Sequence, residues 1–288
     1  MAERGSNNRF RVRIEPNKYT DEKFELYKLY QTTVHNDDDQ DVTKEGFKRF
    51  LCEDPFIDGN DKVGALHQLY YFDKKLIAIG VLDILPKCIS SVYLIWHPDY
   101  AELGLGKLSV LREIALTLEY KISYYYMGFY IHNCQKMKYK GQYKPSFLLD
   151  PDFGSSGNDL EWYAIEEFQK KFQDKKYVTL KGFDNDNADD EITVESASNE
   201  DDDDDSLHVI SASMPGTLNR IQLEKQLRHE NLNLEKVPII FKARYGSPEL
   251  VVTFDDLAPQ SQPVAMEILE DLASVLGVEF MKNASLVL

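Results

Sequence analysis

The segment Leu66 to Pro86 constrains the fold most. Leu66-His67-Gln68-Leu69-Tyr70-Tyr71-Phe72 is followed by Asp73-Lys74-Lys75 and then by the run Leu76 to Leu85, closed at Pro86. Two apolar, β-prone runs around a short polar turn predict a β-hairpin. Ile89 to Trp96 supplies a third strand, and His97-Pro98-Asp99-Tyr100 interrupts it. A helix is expected from about Leu108 to Glu119, and a fourth strand from Tyr124 to Ile131. An antiparallel meander, then a helix returning to a parallel strand, predicts an α+β arrangement with one crossover.

Flanking patterns extend this core. Phe10 to Glu15 alternates as an edge strand, and Thr20-Asp21-Glu22 opens a helix with Phe24, Tyr27, Leu29 and Tyr30 on its apolar face. A second helix begins at Thr43, uses Phe47, Phe50 and Leu51, and ends near Asp54-Pro55. Beyond Pro145, Leu160 to Phe172 reads as a strand passing into a helix. His208 to Ala212 reads as a short strand, Met214-Pro215-Gly216 as a turn, and Leu218 to His229 as a helix. Val237 to Phe241 and Leu250 to Phe254 are apolar, and Pro263 to Leu276 is an amphipathic helix. The expected organisation is a domain over 1–183, a disordered acidic insert over 184–206, and a C-terminal α/β segment over 207–288 that partly completes the first domain.

Charge distribution matters more than its sum. The net charge is −16, but Asp184 to Asp205 holds twelve acidic and no basic residues, which leaves −4 for the rest. Lys107 to Leu149 carries seven basic and two acidic residues, a local +5. The 288 residues suffice to bury a core without metal or disulfide. Cys52, Cys88 and Cys134 are odd in number and far apart, which argues against a disulfide framework and a zinc site and for a reducing interior. With no apolar run near membrane-spanning length, cytoplasm or nucleus is expected.

The chemistry-bearing stretch is Tyr124 to Pro145. It runs from an aromatic strand into a loop with Lys136, Lys138, Lys140 and Lys144 interleaved with Tyr139 and Tyr143. Amines and rings together suit nucleic-acid or anionic groups; the bland alternative is a solvated loop. Gly104-Leu105-Gly106-Lys107 opens a helix where bare N–H groups hold an anion, or is an ordinary tight turn. His67, Asp83 and His132 lie within or just after predicted strands, facing either a cleft or a satisfied core. Asp83 is an acid in an apolar run, so it needs solvent or a cation.

Several segments resemble the arginyltransferases, which move arginine from arginyl-tRNA to protein N-termini. They are Tyr27-Lys28-Leu29-Tyr30-Gln31 with Val34-His35, Phe47-Lys48-Arg49-Phe50-Leu51-Cys52, His67-Gln68-Leu69-Tyr70, Leu76 to Pro86, Ser90 to Leu94, Leu111 to Ala115, and Tyr124 to Pro145. The resemblance spans roughly residues 9 to 150. It implies a fold of the GNAT-like, acyl-CoA N-acyltransferase type, with a mixed, largely antiparallel sheet flanked by helices. It also implies that the amine of a protein beginning with Asp, Glu or oxidised Cys attacks the ester of arginyl-tRNA, marking that protein for ubiquitin-dependent degradation. Family members carry an upstream cysteine-rich domain, whereas this sequence starts where the transferase domain would, so a fragment, a short isoform or a truncated gene product is expected. Gln135 stands where the family commonly has proline.

An aminoacyl ester is already activated, so holding an uncharged amine near the carbonyl and stabilising the oxyanion is enough, with no cofactor or metal. His67 and His132 are the candidate bases. Asp83, with Glu113 second, is the candidate for the arginine guanidinium. Tyr124, Tyr126, Lys138, Tyr139, Lys140 and Tyr143 are candidate substrate contacts, and Lys107, Arg112, Lys136 and Lys144 candidate tRNA contacts. Two alternatives remain: a catalytically incomplete fragment that binds tRNA or substrate, and an acyl-CoA-dependent N-acetyltransferase with pyrophosphate at Gly104 and Gly106.

Overall fold

The computed structural model describes residues 9–54, 63–150, 161–172, 178–180, 210, 214–241 and 250–287. The chain divides into two compact units, Met1–Phe129 and Tyr130–Leu288. The acidic insert lies outside the described residues, as does the predicted strand His208 to Ala212 apart from Ile210.

The first unit is built on a five-stranded sheet in the order β1-β2-β3-β4-β5. Its strands are β1 (Phe10–Pro16), β2 (Gly64–Phe72), β3 (Lys75–Ile84), β4 (Cys88–Trp96) and β5 (Tyr124–Tyr126). The first four pair antiparallel, and β4 pairs parallel with β5. The sheet is therefore mixed and largely antiparallel, as expected. The hairpin turn is tighter than its sequence indicates. Phe72 pairs with Lys75, and Asp73 and Lys74 both take positive φ, 46° and 70°, the backbone a two-residue hairpin requires.

Helices cover both faces. α1 (Asp21–Tyr30) starts at Thr20, whose hydroxyl accepts from the Lys23 amide at 3.3 Å. α2 (Lys44–Leu51) starts at Thr43, which accepts from Gly46 at 3.0 Å; such caps stabilise a helix by about 1 kcal/mol. Phe24, Leu26, Tyr30, Phe47 and Leu51 from these helices pack with Leu69, Ile79, Val81 and Ile95 of the sheet. α3 (Leu105–Glu119) covers the other face, where Leu105 packs with Tyr70 and Ile77, and Leu116 packs with Leu82, Ile84 and Ile89. It begins three residues before the predicted start, because left-handed Gly104 (φ 60°) ends the preceding 3₁₀ turn Pro98–Leu103 and caps α3 at once.

Two features shape the site. The fourth strand was expected to reach Ile131 but ends at Tyr126; Gly128, at φ 70°, turns the chain out of the extended conformation two residues later. α1 does not stop at Tyr30 but passes into a π-helical turn, Gln31–His35, ended by left-handed Asn36 (φ 62°). Such turns are rare and recur at functional sites.

The second unit holds a β6 (Phe147–Leu149) and β7 (Trp162–Ala164) ladder, followed by α4 (Ile165–Gln169). It also holds a sheet ordered β10-β8-β9 from Leu286–Val287, Ile239–Phe241 and Leu250–Val252. α5 (Arg220–Glu230) opens on a reciprocal capping box between Asn219 and Gln222. α6 (Gln262–Leu276) buries Ala265, Leu269 and Ala273, and a short α7 (Val278–Met281) follows.

Candidate functional site

The site of interest in the first unit is where β4 and β5 part. β5 pairs with β4 only from Cys88 to Ser90, while β4 runs on to Trp96 without that neighbour. Just past the last pair, β4 carries an extra residue: Leu82 pairs with Ser91 and Val81 with Tyr93, so Val92 bulges. Bulges of this kind re-aim side chains and concentrate beside active sites.

One sheet face at this point is polar. Leu82, Ile84, Ile89 and Tyr125 pack toward α3, so strand alternation turns Asp83, Cys88, Ser90, Tyr124 and Tyr126 to the opposite face. Asp83 is half-buried and, among the described residues, makes no hydrogen bond or ion pair. Burial, and then the charge of Asp54, push its carboxyl above the usual range. Burial, with Asp83 as a lesser contributor, pushes the Cys88 thiol to about 11. Burial also raises Tyr126, with smaller contributions from Cys88 and Tyr124. These side chains sense one another, and no cation among the described residues compensates Asp83.

Glu113 sits differently. It is fully buried under α3, where the Ser109 hydroxyl donates to one carboxylate oxygen and the Tyr125 hydroxyl to the other. A Cβ on Gly80 would lie 3.3 Å from it. Close by, buried Gln68 donates to the Tyr70 hydroxyl, while its own amide oxygen has no partner among the described residues. Glu113 therefore ties α3 to β5 from the far face of the sheet.

His67 is also buried, at 0% exposure. Its Nε2 lies 2.9 Å from the Leu51 carbonyl and can only donate to it; Nδ1 has no partner among the described residues. Burial, assisted by Lys23, lowers its pKa to about 4, so the ring is neutral. Lys107 is exposed on the first turn of α3, and Arg112 is held by Glu119 through bonds of 2.8 and 3.2 Å.

The remaining candidates belong to the second unit. The His132 ring lies flat on Phe172, centroids 4.3 Å apart and planes 6° apart. Lys138, Tyr139 and Lys140 share a 3₁₀ turn, Lys138–Gln142, with Tyr143 next in sequence. Lys136 and Lys138 are exposed, whereas Tyr139, Lys140 and Tyr143 are half-buried. Lys144 pairs with Glu166 at 2.6 Å.

The structure thus brings Asp83, Tyr124 and Tyr126 together, puts Glu113 on the opposite face of the sheet, buries His67 against the end of α2 on the face that carries Asp83, and gathers the lysine and tyrosine loop into one turn of the other unit. It also shows a group that had no assigned role. Tyr93, the first residue past the bulge, donates to Gln31 Oε1 at 2.9 Å and lies 3.2 Å from His35 Nε2. Gln31 in turn donates to Asp37 at 2.8 Å. Gln31 and His35 stand four apart, which in a helix puts them on one side, but nothing in the sequence announces the partnership with Tyr93.

Residues 22–150 match the sequence profile of the family described as "Arginine-tRNA-protein transferase, C terminus". "Arginyl-tRNA--protein transferase 1" of Arabidopsis thaliana is 43% identical over 183 residues, covering 59% of this chain and 28% of that protein. "Aspartate/glutamate leucyltransferase" of Pseudomonas savastanoi pv. phaseolicola is 36% identical over 135 residues, covering 46% of this chain and 53% of that protein. The chain therefore spans between about a quarter and a half of the length of these relatives. A solved aminoglycoside acetyltransferase from an uncultured soil metagenomic sample aligns with a TM-score of 0.34 at 10% identity, over 48% of this chain and 90% of that one.

Proposed function

We propose that the chain transfers arginine from arginyl-tRNA to the N-terminal amine of proteins beginning with Asp, Glu or oxidised Cys, a reading supported by the match of residues 22–150 to the profile described as "Arginine-tRNA-protein transferase, C terminus" and by the similarity to the Arabidopsis transferase. The modified proteins enter ubiquitin-dependent degradation, in the cytoplasm or nucleus. No helix among the described residues is long and apolar enough to cross a membrane.

One observation carries the choice of donor. Relatives named for leucine transfer share similarity with this chain, so the question is which side chain the site accepts. Asp83 is half-buried, unpaired among the described residues, and raised in pKa by burial and by Asp54. A leucyl group there would leave a desolvated acid without compensation, whereas a guanidinium neutralises it and donates hydrogen bonds in a planar fork. Glu113 already accepts from Ser109 and Tyr125, so the guanidinium role falls to Asp83.

The remaining roles follow from the reaction. Past Ser90 the edge of β4 is without its β5 partner, and a backbone N–H there suits the oxyanion that forms on the ester carbonyl. Tyr124 and Tyr126 flank the donor's aminoacyl end. Lys138, Tyr139, Lys140 and Tyr143 bind the acidic first side chain of the acceptor, and exposed Lys107 and Lys136 contact tRNA phosphates. Arg112 and Lys144 join them by exchanging Glu119 and Glu166 for phosphate. His132 orients the acceptor from its stack on Phe172, and neutral His67 holds the end of α2. The proposal extends to the organisation of the chain, with a transferase domain over 1–183, an acidic insert over 184–206 and a completing segment over 207–288.

The test is transfer from arginyl-tRNA and leucyl-tRNA to an Asp-initiated peptide. Wild type is expected to prefer arginine, and Asp83→Asn to lose about 100-fold in arginine transfer with no matching loss for leucine. Equal use of arginine by both proteins would remove Asp83 as the reader of the donor, and absence of transfer by wild type would remove the activity.

A further inference from the structure

Four side chains on the face that carries Asp83 form an ordered chain of hydrogen bonds whose direction is set from one end. Asp37, at the far end, only accepts, so Gln31 must turn its NH₂ to it (2.8 Å). That leaves Gln31 Oε1 toward Tyr93, whose hydroxyl donates to it at 2.9 Å. A phenol has a single proton, and Tyr93 has spent it on Gln31. The 3.2 Å contact between the Tyr93 oxygen and His35 Nε2 is then possible in one sense only, with His35 Nε2–H donating. A neutral His35 consequently carries its proton on Nε2 and leaves Nδ1 as a bare acceptor. No described residue bonds that nitrogen, and His35 is exposed. The ring is held edge-on against Tyr30, centroids 5.1 Å apart.

The location matches the donor. Ser90 lies opposite Asp83, and Tyr93 follows on the same strand across the Val92 bulge, a span of roughly 7–10 Å at strand rise. An extended arginyl group reaches about 7 Å from its carbonyl carbon to its guanidinium, by ordinary bond lengths. With the guanidinium on Asp83, the ester carbonyl lies near Tyr93, where β4 has lost its β5 neighbour.

We propose that His35, set in its Nε2–H tautomer by Asp37, Gln31 and Tyr93, is the general base of arginyl transfer. The inference rests on the activity proposed above. The acceptor arrives as an ammonium and gives up two protons. The first passes to His35 Nδ1 and on to solvent, freeing the amine to attack the ester carbonyl carbon. As the C–N bond forms and the ester C–O bond breaks, the second proton leaves the attacking nitrogen for Nδ1 and is returned to the departing ribose oxygen, so His35 ends neutral and the tRNA leaves as the free hydroxyl. Both Gln31 and His35 belong to the π-turn, and both meet the one phenol of Tyr93. Tyr30 from α1 and Tyr93 from β4 touch the ring, Tyr27 from α1 and Asp37 after the π-turn act on the Tyr93 phenol, and Lys28 is engaged by Asp39 at 2.8 Å.

Two measurements on the full chain test this. The first follows kcat/KM for an Asp-initiated peptide against pH at saturating arginyl-tRNA, with arginyl-tRNA affinity measured separately. His35→Gln is expected to lose between about 100- and 1,000-fold in kcat/KM, with the low-pH limb of the profile displaced and tRNA affinity within twofold of wild type. The second reads the imidazole tautomer by nitrogen NMR of histidine-labelled protein: Nε2–H in wild type, and a mixture once Gln31→Leu breaks the chain. The milder Tyr93→Phe serves if either variant folds poorly, and is expected to show an intermediate loss and the same mixed tautomer. Wild-type transfer together with an unaltered pH profile in His35→Gln, or an Nδ1–H tautomer in wild type, would overturn the inference while leaving the activity standing. A wild-type protein that transfers nothing overturns the activity itself and the base with it.

Discussion

Asp83 and Tyr126 flank the same residue: Ser90 pairs with Asp83 on the β3 side and with Tyr126 on the β5 side. Tyr126 is the last residue of its strand, so the acid and the phenol mark the point at which the sheet opens. Everything proposed for the donor end depends on that register. A one-residue slip of β3 would turn Asp83 toward α3 and Leu82 toward the site.

The unpaired acid should cost stability where it is ionised. Asp83 has its folded pKa raised above the ordinary 3.8 by burial and Asp54, so the folded state binds the proton more tightly than the unfolded one. Stability from this group is present below 3.8 and is lost as pH rises through the raised value. Asp83→Asn is expected to be at least as stable as wild type at pH 7, with the gap narrowing toward pH 4.5. Urea midpoints at the two pH values check it, and a less stable variant at pH 7 counts against an uncompensated acid.

Glu113 should behave as a structural tie. Removing its carboxylate in Glu113→Ala takes an acceptor from the Ser109 and Tyr125 hydroxyls and leaves a buried cavity, a loss of roughly 2–4 kcal/mol. Glu113→Gln keeps one acceptor oxygen and should lose about half as much. Chemical denaturation measures both, and a Glu113→Ala protein as stable as wild type would remove the tie.

His67 sets a limit at acid pH. Its folded pKa of about 4 lies below the ordinary 6.5, so the unfolded chain takes up a proton first as pH falls. The associated stability is complete above 6.5 and is lost between 6.5 and about 4, amounting to about 3 kcal/mol. His67→Gln should flatten the dependence of urea midpoint on pH across that interval. An identical slope in wild type and variant is the contrary result.

In the second unit, Gly141→Ala probes the cationic turn. A Cβ there would stand 2.8 Å from the Tyr130 hydroxyl and 3.1 Å from Ile165 Cδ1, and such overpacking costs about 1–3 kcal/mol. A melting temperature lowered by several degrees is expected. An unchanged melt would mean that Tyr130 moves aside freely.

Legibility differed by kind of residue. The hairpin, the two Thr-capped helices, the parallel return through α3 and the amphipathic α6 follow from periodicity and turn chemistry, because those signals are local. The strand beyond Tyr126 was over-extended because aromatic content continues through Phe129 and Tyr130, while the positive φ of Gly128 leaves no trace in hydrophobicity. In the sequence Asp83 and Glu113 are both acids available to a guanidinium, and sequence alone ranks them only weakly.

By itself, the order of residues determined which segments become strands and helices, that the sheet is mixed, and that acids, tyrosines and lysines are available for an aminoacyl group. Tertiary structure alone decided which of those groups remain unsatisfied. Glu113 is enclosed with two hydroxyl partners on the α3 face, His67 keeps one partner, the Leu51 carbonyl, on the other face, Asp83 on that same face is left without one among the described residues, and His35 meets Tyr93 58 residues away. Pairing across such separations depends on strand register and on which face a helix covers. Those are properties of the assembled layers, and a window of neighbouring residues does not contain them.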